Sequence, residues 1–276
     1  MHHQAVRRAL GLLLLLFSLS LLPPMAISWW TGDGELVPFA VSMLVMVAIG
    51  AVGWWPVRHV RYPIRARSGF VVVAFFWCGL SLISALPFVF GVHFSLVDAL
   101  FETVSGFTTT GATVVIGLDA LPPSILYYRQ QLQWLGGMGV IVLAVAILPL
   151  LGIGGMQMVR AETPGPIKDQ RLAPRMMHTA RLLWGLYIGL TALCALAYWL
   201  AGMTPFDAIG HSFATISTGG YSTHDASLGH FDSVAIELIA EFFSWSGRST
   251  SPCTSSPGSG ARRRATLQTA SCARSW

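Results

Sequence analysis

Long apolar stretches, separated by short polar segments, set the pattern of this chain. Four of them hold about 20 apolar residues, the length that a helix needs to cross a hydrocarbon layer about 30 Å thick. The predicted spans are Ala9–Trp30, Leu36–Trp55, Gly69–Gly91 and Leu182–Met203. The first follows two arginines as a signal peptide would, but it lacks a small-x-small cleavage site, so we predict a retained membrane helix.

A fifth apolar stretch, from Ile125 to about Met158, is longer than one crossing requires. Polar side chains lie near its start and glycines further in: Arg129, Gln130, Gln131, Gln133, Gly136, Gly137 and Gly139. We predict a long span with a polar mouth and a flexible middle. The pattern leaves two interpretations of Arg129 open, a functional charge within the membrane or a side chain that snorkels to the interface.

The charged residues between the spans alternate in sign. Basic residues precede the first span and cluster at 58–67 and 160–181, whereas the intervening segments are acidic. Because basic loops stay on the cytoplasmic side, we predict a multi-pass protein with a cytoplasmic amino terminus. Tryptophans at the span ends fit interfacial aromatic belts: Trp29, Trp30, Trp54 and Trp55.

Composition supports a membrane protein. Hydrophobic residues make up 54% of the 276 positions and charged residues 11%, against roughly 25% charged in average soluble domains. The net charge of +5 arises after residue 245, because residues 1–245 hold twelve basic and twelve acidic residues. This distribution does not favour a nucleic-acid partner. No nucleophile–base pairing, P-loop or dinucleotide glycine pattern is present, so we predict no enzymatic activity.

The segment between the third span and the long one fits no crossing. Ser95–Phe107 is too short, and it is followed by T-T-T-G-A-T at 108–113. This pattern predicts a re-entrant helix that enters the membrane and returns as extended chain, which is tolerated only where the backbone is buried in protein or lines a water-filled cavity. Glycine permits backbone angles that aim successive carbonyls at one axis.

The same plan recurs about 108 residues later. Asp98 precedes Gly111 by 13 residues, and Asp207 precedes Gly219 by 12. Each copy follows an apolar span and precedes an apolar segment, on the side predicted to be outside. Repetition of span, short helix, Thr/Ser-Thr-Gly turn and span is typical of a pore built by pseudo-symmetry, in which backbone carbonyls replace the hydration shell of a cation.

At these residues the sequence resembles the Trk/Ktr/HKT superfamily, and within it the TrkH/TrkG type of bacterial potassium-uptake subunit. The resemblance covers about residues 5–243 and rests on S-G-F-T-T-T-G-A-T (105–113), L-Q-W-L-G-G-M-G (132–139), A-I-L-P-L-L-G-I-G-G-M-Q-M (146–158), R-A-E-T-P-G-P-I-K-D (160–169) and F-D-A-I-G-H-S-F-A-T-I-S-T-G-G-Y-S-T-H-D-A-S (206–227).

The resemblance implies an all-α membrane protein, a multi-span helical bundle with re-entrant pore helices and filter loops. It implies potassium as substrate and filter ligand in the inner membrane, no covalently bound cofactor, and transport by symport. Implied partners are a second copy in a homodimer, a cytosolic nucleotide-binding regulatory subunit of the TrkA type, and membrane lipid. The filter carbonyls implied are those of Thr109, Thr110, Gly111, Ser217, Thr218 and Gly219.

The resemblance also implies four pore repeats, of which this sequence holds the first and most of the second. We divide the chain into a two-helix unit (1–60), a first span–pore loop–span repeat (61–165), an incomplete second repeat (166–245) and a tail (246–276). The tail holds eight Ser, five Arg, four Thr, one Leu and no acidic residue, so we predict disorder and hypothesise a frameshift or a mis-assigned gene end.

Three functions follow from this division. The first is potassium uptake through a carbonyl-lined pore. The second is a non-transporting membrane remnant or assembly-interfering fragment, because two loops out of four cannot surround an ion. A sodium or ammonium pore is the third.

Four residues around the second loop also suggest a metal site: His211, His224, Asp225 and His230. Their spacing does not place three ligands on one helical face, so we predict a polar lining of the outer mouth instead.

Overall fold

In the computed structural model the described residues are 2–59, 74, 77–147 and 169–249, and every regular element among them is helical. The helices are α1 (His2–Ser18), α2 (Leu22–Thr31), α3 (Leu36–Trp54), α4 (Trp77–Phe90), α5 (Leu96–Phe107), α6 (Pro123–Ile147), α7 (Asp169–Leu200), α8 (Pro205–Ile216) and α9 (Val234–Ser249). The predicted all-α membrane architecture is confirmed.

Three described helical stretches are long and apolar enough to cross a bilayer: Val6–Thr31, Leu36–Val57 and Ala180–Leu200. They match the first, second and fourth predicted spans. The third predicted span and the end of the fifth lie partly outside the described residues, as do most of the basic segments at 58–67 and 160–181. Helix α7 begins at Asp169, thirteen residues before the predicted span.

The first crossing consists of α1 and α2, joined by a 3₁₀ turn at Leu19–Leu21. Prolines 23 and 24 cause the break, because neither can donate the amide hydrogen bond of a regular helix. In a regular helix the amide of residue 24 would donate to the carbonyl of Ser20, but Pro24 has no amide hydrogen. That carbonyl instead accepts a 2.8 Å hydrogen bond from Nε2 of Gln131 on α6. A neighbouring helix thus satisfies the backbone group that the proline leaves open.

Small residues let α1 and α3 pack closely. A Cβ on Gly11 would lie 2.7 Å from the amide nitrogen of Trp54 and 2.8 Å from the carbonyl oxygen of Gly50. Gly50 in turn faces the side chain of Leu15. Close backbone approach at small residues is how membrane helices gain contact in lipid, which offers no hydrophobic driving force between them.

Helix α6 is continuous through Gly136, Gly137 and Gly139, and the predicted flexibility of this stretch stays a prediction. The polar side chains near its start are all buried among the described residues: Arg129, Gln130, Gln131 and Gln133. Helix α6 lies between the two short helices α5 and α8 and contacts both. It therefore supports both short helices of the region predicted to form the pore.

The last described helix, α9, has 16 residues and ends at Ser249. The first residues of the segment predicted to be disordered, 246–249, are therefore helical, and 250–276 lie outside the described residues. Of the predicted belt tryptophans, Trp29, Trp30 and Trp55 are exposed and Trp54 is half-buried.

Candidate functional site

The short helices α5 and α8 begin with the same cap. Ser95 Oγ accepts the amide hydrogen of Asp98 at 3.2 Å and donates to its carboxylate at 2.7 Å. Thr204 Oγ1 does the same with Asp207, at 3.1 and 2.6 Å. Each cap satisfies an amide at the helix start and places a carboxylate in the first turn, where the helix dipole favours it. Both helices have 12 residues.

The loops that follow share one backbone conformation. Thr109 and Thr218 both have φ of 54°, and Gly111 and Gly220 have φ of 77° and 81°. The turn hydrogen bonds repeat as well: the amides of Thr109 and Thr110 bond the carbonyls of Gly106 and Ser105, and those of Thr218 and Gly219 bond Thr215 and Ala214. Two β-substituted residues in the left-handed region at equivalent positions mark strained, specific loops.

This geometry corrects the register of the internal repeat. Ser95 pairs with Thr204 and Thr109 with Thr218, which gives an offset of 109 positions rather than 108. Gly111 therefore corresponds to Gly220, and Thr110 to Gly219. The sequence repeat aligned Gly111 with Gly219, the first of two adjacent glycines in the second loop. That alignment is one residue off, because the second glycine, Gly220, has the matching conformation.

The two loops touch each other. A Cβ on Gly111 would overlap the carbonyl oxygen of Gly219. Glycine is needed at Gly111 for two reasons, its positive φ and this close approach of another backbone. Apart from its own chain neighbours, the equivalent Gly220 has no atom of the described residues within 4 Å of where its Cβ would be.

Helix α6 separates and supports the ends of both short helices. A Cβ on Gly136 would overlap the carbonyl of Phe107 at the end of α5. A Cβ on Gly137 would lie 3.1 Å from Cβ of Ser217 at the end of α8. Between them Gln133 Oε1 accepts the amide hydrogen of Tyr221 at 3.1 Å. The glycines of α6 are thus contact points for the loops.

A buried ion pair holds the first loop. Arg129 Nε lies 3.2 Å from Oε2 of Glu102, and both side chains are almost fully buried. The other oxygen of Glu102 accepts from the hydroxyl of Thr113 and from the amide of Val114, at 2.5 and 2.9 Å. The structure thus rules out snorkelling for Arg129, which acts as a buried counter-ion beneath the returning chain.

Tyr221 connects this ion pair to the second loop. Its ring stacks under the guanidinium of Arg129 at 4.4 Å, and its hydroxyl donates to the carbonyl of Glu102 at 3.0 Å. In the second repeat His211 occupies the position of Glu102, and its Nε2 lies 3.3 Å from the hydroxyl of Thr223. Thr223 corresponds to Val114. In each repeat, therefore, a side chain at the same position of the short helix contacts the same position of the chain that follows the loop.

The outer ends of the loops are also joined. Asp225 Oδ1 accepts the amide hydrogens of Gly117 and Leu118, at 3.1 and 2.9 Å. His224 Nδ1 donates to Oδ1 of Asp119 at 2.6 Å, and this hydrogen bond lowers the pKa of the exposed Asp119 carboxyl. Two loops from different repeats therefore behave as one unit.

The predicted filter residues lie together in this unit. Thr110 and Thr218 are exposed, Thr109 and Gly111 are partly exposed, and Ser217 and Gly219 are buried. Sequence reasoning missed Glu102, Gln133 and Tyr221 as supports. The one available signal was the run of polar side chains on α6 within an apolar stretch.

Comparisons with known proteins agree with this geometry. Residues 37–254 match the family model TrkH, described as a cation transport protein. The chain is 54% identical over 245 residues to the Trk system potassium uptake protein TrkH of Vibrio parahaemolyticus, covering 88% of this chain and 50% of that protein. It is 45% identical over 245 residues to TrkG of Escherichia coli K12, covering 88% of this chain and 50% of that protein.

Among solved structures, the chain is similar to the crystal structure of the potassium transporter TrkH from Vibrio parahaemolyticus, with a TM-score of 0.77 and 49% identity. The match covers 88% of this chain and 49% of that one. The chain thus spans about half the length of the curated relatives it matches.

Proposed function

The chain belongs to the TrkH family of cation transport proteins, and from this premise we propose that it supplies two of the loops of a potassium-uptake pore in the bacterial inner membrane. The observation that carries the proposal is the pair of strained loops with matching dihedral angles, which touch at Gly111 and the carbonyl of Gly219. Relatives of this chain are potassium uptake proteins by name.

The proposed ion ligands are main-chain carbonyls. In the first loop they are Thr109, Thr110 and Gly111. The 109-residue register makes Thr218, Gly219 and Gly220 their counterparts, while Ser217, which corresponds to Thr108, stays a prediction. Carbonyls held by a braced backbone can replace the water shell of a desolvated monovalent cation. The ends of α5 and α8 add the partial negative charge of a helix carboxyl terminus.

A complete pore needs more loops than the two described. The open side of Gly220 is where a further loop would pack, by analogy with the contact of Gly111 on the second loop. We propose that the remaining loops come from polypeptide equivalent to the second half of the longer relatives. A homodimer, a cytosolic TrkA-type subunit, lipid contacts, symport and a cytoplasmic amino terminus belong to the same proposal.

Two expression experiments test the proposal in a bacterial strain that lacks potassium uptake. In the first, the chain is expressed alone. In the second, residues 1–245 replace the matching half of TrkH of Escherichia coli K12, to which this chain is 53% identical. We expect the chimera to restore growth at low potassium and to take up rubidium, and the chain alone to do neither.

Each outcome separates the candidate functions. Failure of a chimera that reaches the membrane at the level of the parent protein would contradict the proposed pore role. It would favour a non-transporting fragment. Rubidium uptake that sodium or ammonium suppresses but potassium does not would favour the third candidate function.

A further inference from the structure

A cluster at the outer ends of the loops has a donor set of its own. Asp119, His224 and His230 each place one ligand atom within 4.8 Å of the others. Asp119 lies in a 3₁₀ turn after the first loop, whereas His224 follows the second loop and His230 lies in the 3₁₀ helix Ser227–Phe231. The sequence did not indicate this cluster, because Asp119 is 105 positions from His224. His211 and Asp225, which also lie near the second loop, bond Thr223 and the amide of Gly117 instead.

The charge around His224 favours a cation. Carboxylates flank both of its ring nitrogens, Asp119 at 2.6 Å from Nδ1 and Asp207 at 3.5 Å from Nε2. Nδ1 now donates its proton to Asp119, so an ion shared by these two groups would take the place of that proton and leave the ring proton on Nε2, which has no hydrogen-bond partner among the described residues. That proton would face the carboxylate of Asp207, and a metal-bound imidazole is commonly oriented by a carboxylate at its other ring nitrogen.

The imidazole of His230 lies close enough to that of His224 for the two to bind one ion. The rings of His224 and His230 stack with centroids 3.6 Å apart and planes 5° apart. Parallel rings cannot both direct a nitrogen lone pair at one ion, so binding requires one ring to rotate. His230 is exposed and lies in a short 3₁₀ helix, and Asp119 is exposed as well, so both side chains have room for this adjustment.

The geometry points to a binding site for a divalent cation of the Zn²⁺ type, formed by Asp119, His224 and His230, which we propose as a clamp between the two repeats. Two imidazoles and one carboxylate suit Zn²⁺ and its neighbours, whereas Mg²⁺ and Ca²⁺ prefer oxygen ligands. Three protein ligands leave a coordination position for water, which is typical of exchangeable rather than closed structural sites. The site does not depend on the proposed potassium pore.

Zn²⁺ binding to the purified chain in detergent, measured by calorimetry, tests the site. All proteins in the comparison carry His2→Gln and His3→Gln, because adjacent histidines at the amino terminus bind metal by themselves. We expect one saturable site per chain. His230→Gln and Asp119→Asn each remove a ligand, so we expect each to weaken binding by at least about 100-fold, the upper end of the loss known for residues that only support a metal ligand. His59→Gln is the matched control, since His59 is exposed and lies beside Arg58, and it leaves affinity unchanged.

Two further readouts do not involve transport. Co²⁺ bound at the same site gives visible d–d absorption, which both ligand variants lose, and excess Mg²⁺ does not displace it. Zn²⁺ raises the unfolding midpoint of the parent chain in a concentration-dependent way, and the increase is absent in the ligand variants. Equal Zn²⁺ affinity in the parent and in His230→Gln would overturn the site, as would displacement of Co²⁺ by Mg²⁺ or a stoichiometry of two chains per ion.

Discussion

At the scale of single residues, the loops depend on positions where only one side chain fits. Gly111 combines a positive φ with backbone contact, whereas Gly117 has a φ of 80° and open space around its Cβ position. Glu102 and Arg129 are charged residues that each need the other, because neither reaches water. Gly111 is required by backbone conformation and space, whereas Glu102 and Arg129 are required by each other's charge.

Comparison of Gly111→Ala with Gly117→Ala separates backbone strain from steric overlap. Both changes place a Cβ in the left-handed region, at about 1–2 kcal/mol. Only Gly111→Ala also pushes against the carbonyl of Gly219. In the chimera we expect Gly117→Ala to retain rubidium uptake and potassium selectivity, and Gly111→Ala to lose most of both. Equal effects of the two changes would contradict the assigned loop contact.

The ion pair predicts non-additive losses of stability. Arg129→Met leaves the Glu102 carboxylate buried without a counter-ion, and we expect a loss of about 3–5 kcal/mol. Glu102→Gln in the same chain removes that charge, so the double variant is expected to be more stable than Arg129→Met alone. Denaturant unfolding in detergent measures both. Arg58→Met serves as control, because Arg58 is exposed, stacks on Trp55 and bonds the neighbouring His59. Additive losses in the double variant would show that the two side chains do not interact.

At the scale of helices, α6 organises its neighbours through polar contacts in an apolar setting. Its Gln131 reaches Ser20 on the first crossing, and its Gln133 reaches the backbone of the second loop. The amino end of α6 is held by Asp33, whose carboxylate accepts the amide hydrogen of Ser124 at 3.1 Å. A backbone group that lies within lipid has no water to bond, so a side-chain contact there replaces one that the solvent cannot supply.

The hydrogen bond from Gln131 to the Ser20 carbonyl predicts that a change at Pro24 can compensate the loss of Gln131. Gln131→Leu leaves the Ser20 carbonyl without a partner, and we expect a loss of about 1–3 kcal/mol in unfolding free energy. Pro24→Ala supplies an amide that bonds this carbonyl within the helix, so the double variant is expected to recover part of the loss. Thermal unfolding of the three variants in detergent tests this. If Pro24→Ala changes stability by the same amount with Gln131 and with Leu at that position, the hydrogen bond has no energetic role.

At the scale of the whole molecule, the two repeats are joined at two levels. Tyr221 links them at the buried ion pair, and Asp225 and His224 link them at the outer surface. The loops are therefore expected to respond together when either is changed.

Hydrogen exchange detects this coupling. Asp225→Ala removes the acceptor of the amides of Gly117 and Leu118, more than 100 positions away. We expect faster exchange at those two amides with little change in helices α1 and α3. Glu237→Ala is the control, because Glu237 is exposed on α9. Unchanged exchange at Gly117 and Leu118 would mean that the outer link is absent in solution.

The amino-acid sequence by itself determined three helical spans, the two short capped helices with their loops, and the family. These depend on local patterns: a run of apolar residues fixes a crossing, and a capped 12-residue helix followed by Thr and Gly fixes a loop. Only the tertiary structure decided the 109-residue register, the burial of Arg129 against Glu102, and the meeting of Asp119 with His224 and His230. Each of these is a contact between positions far apart in the chain, so it follows from how the helices pack and not from spacing along the sequence.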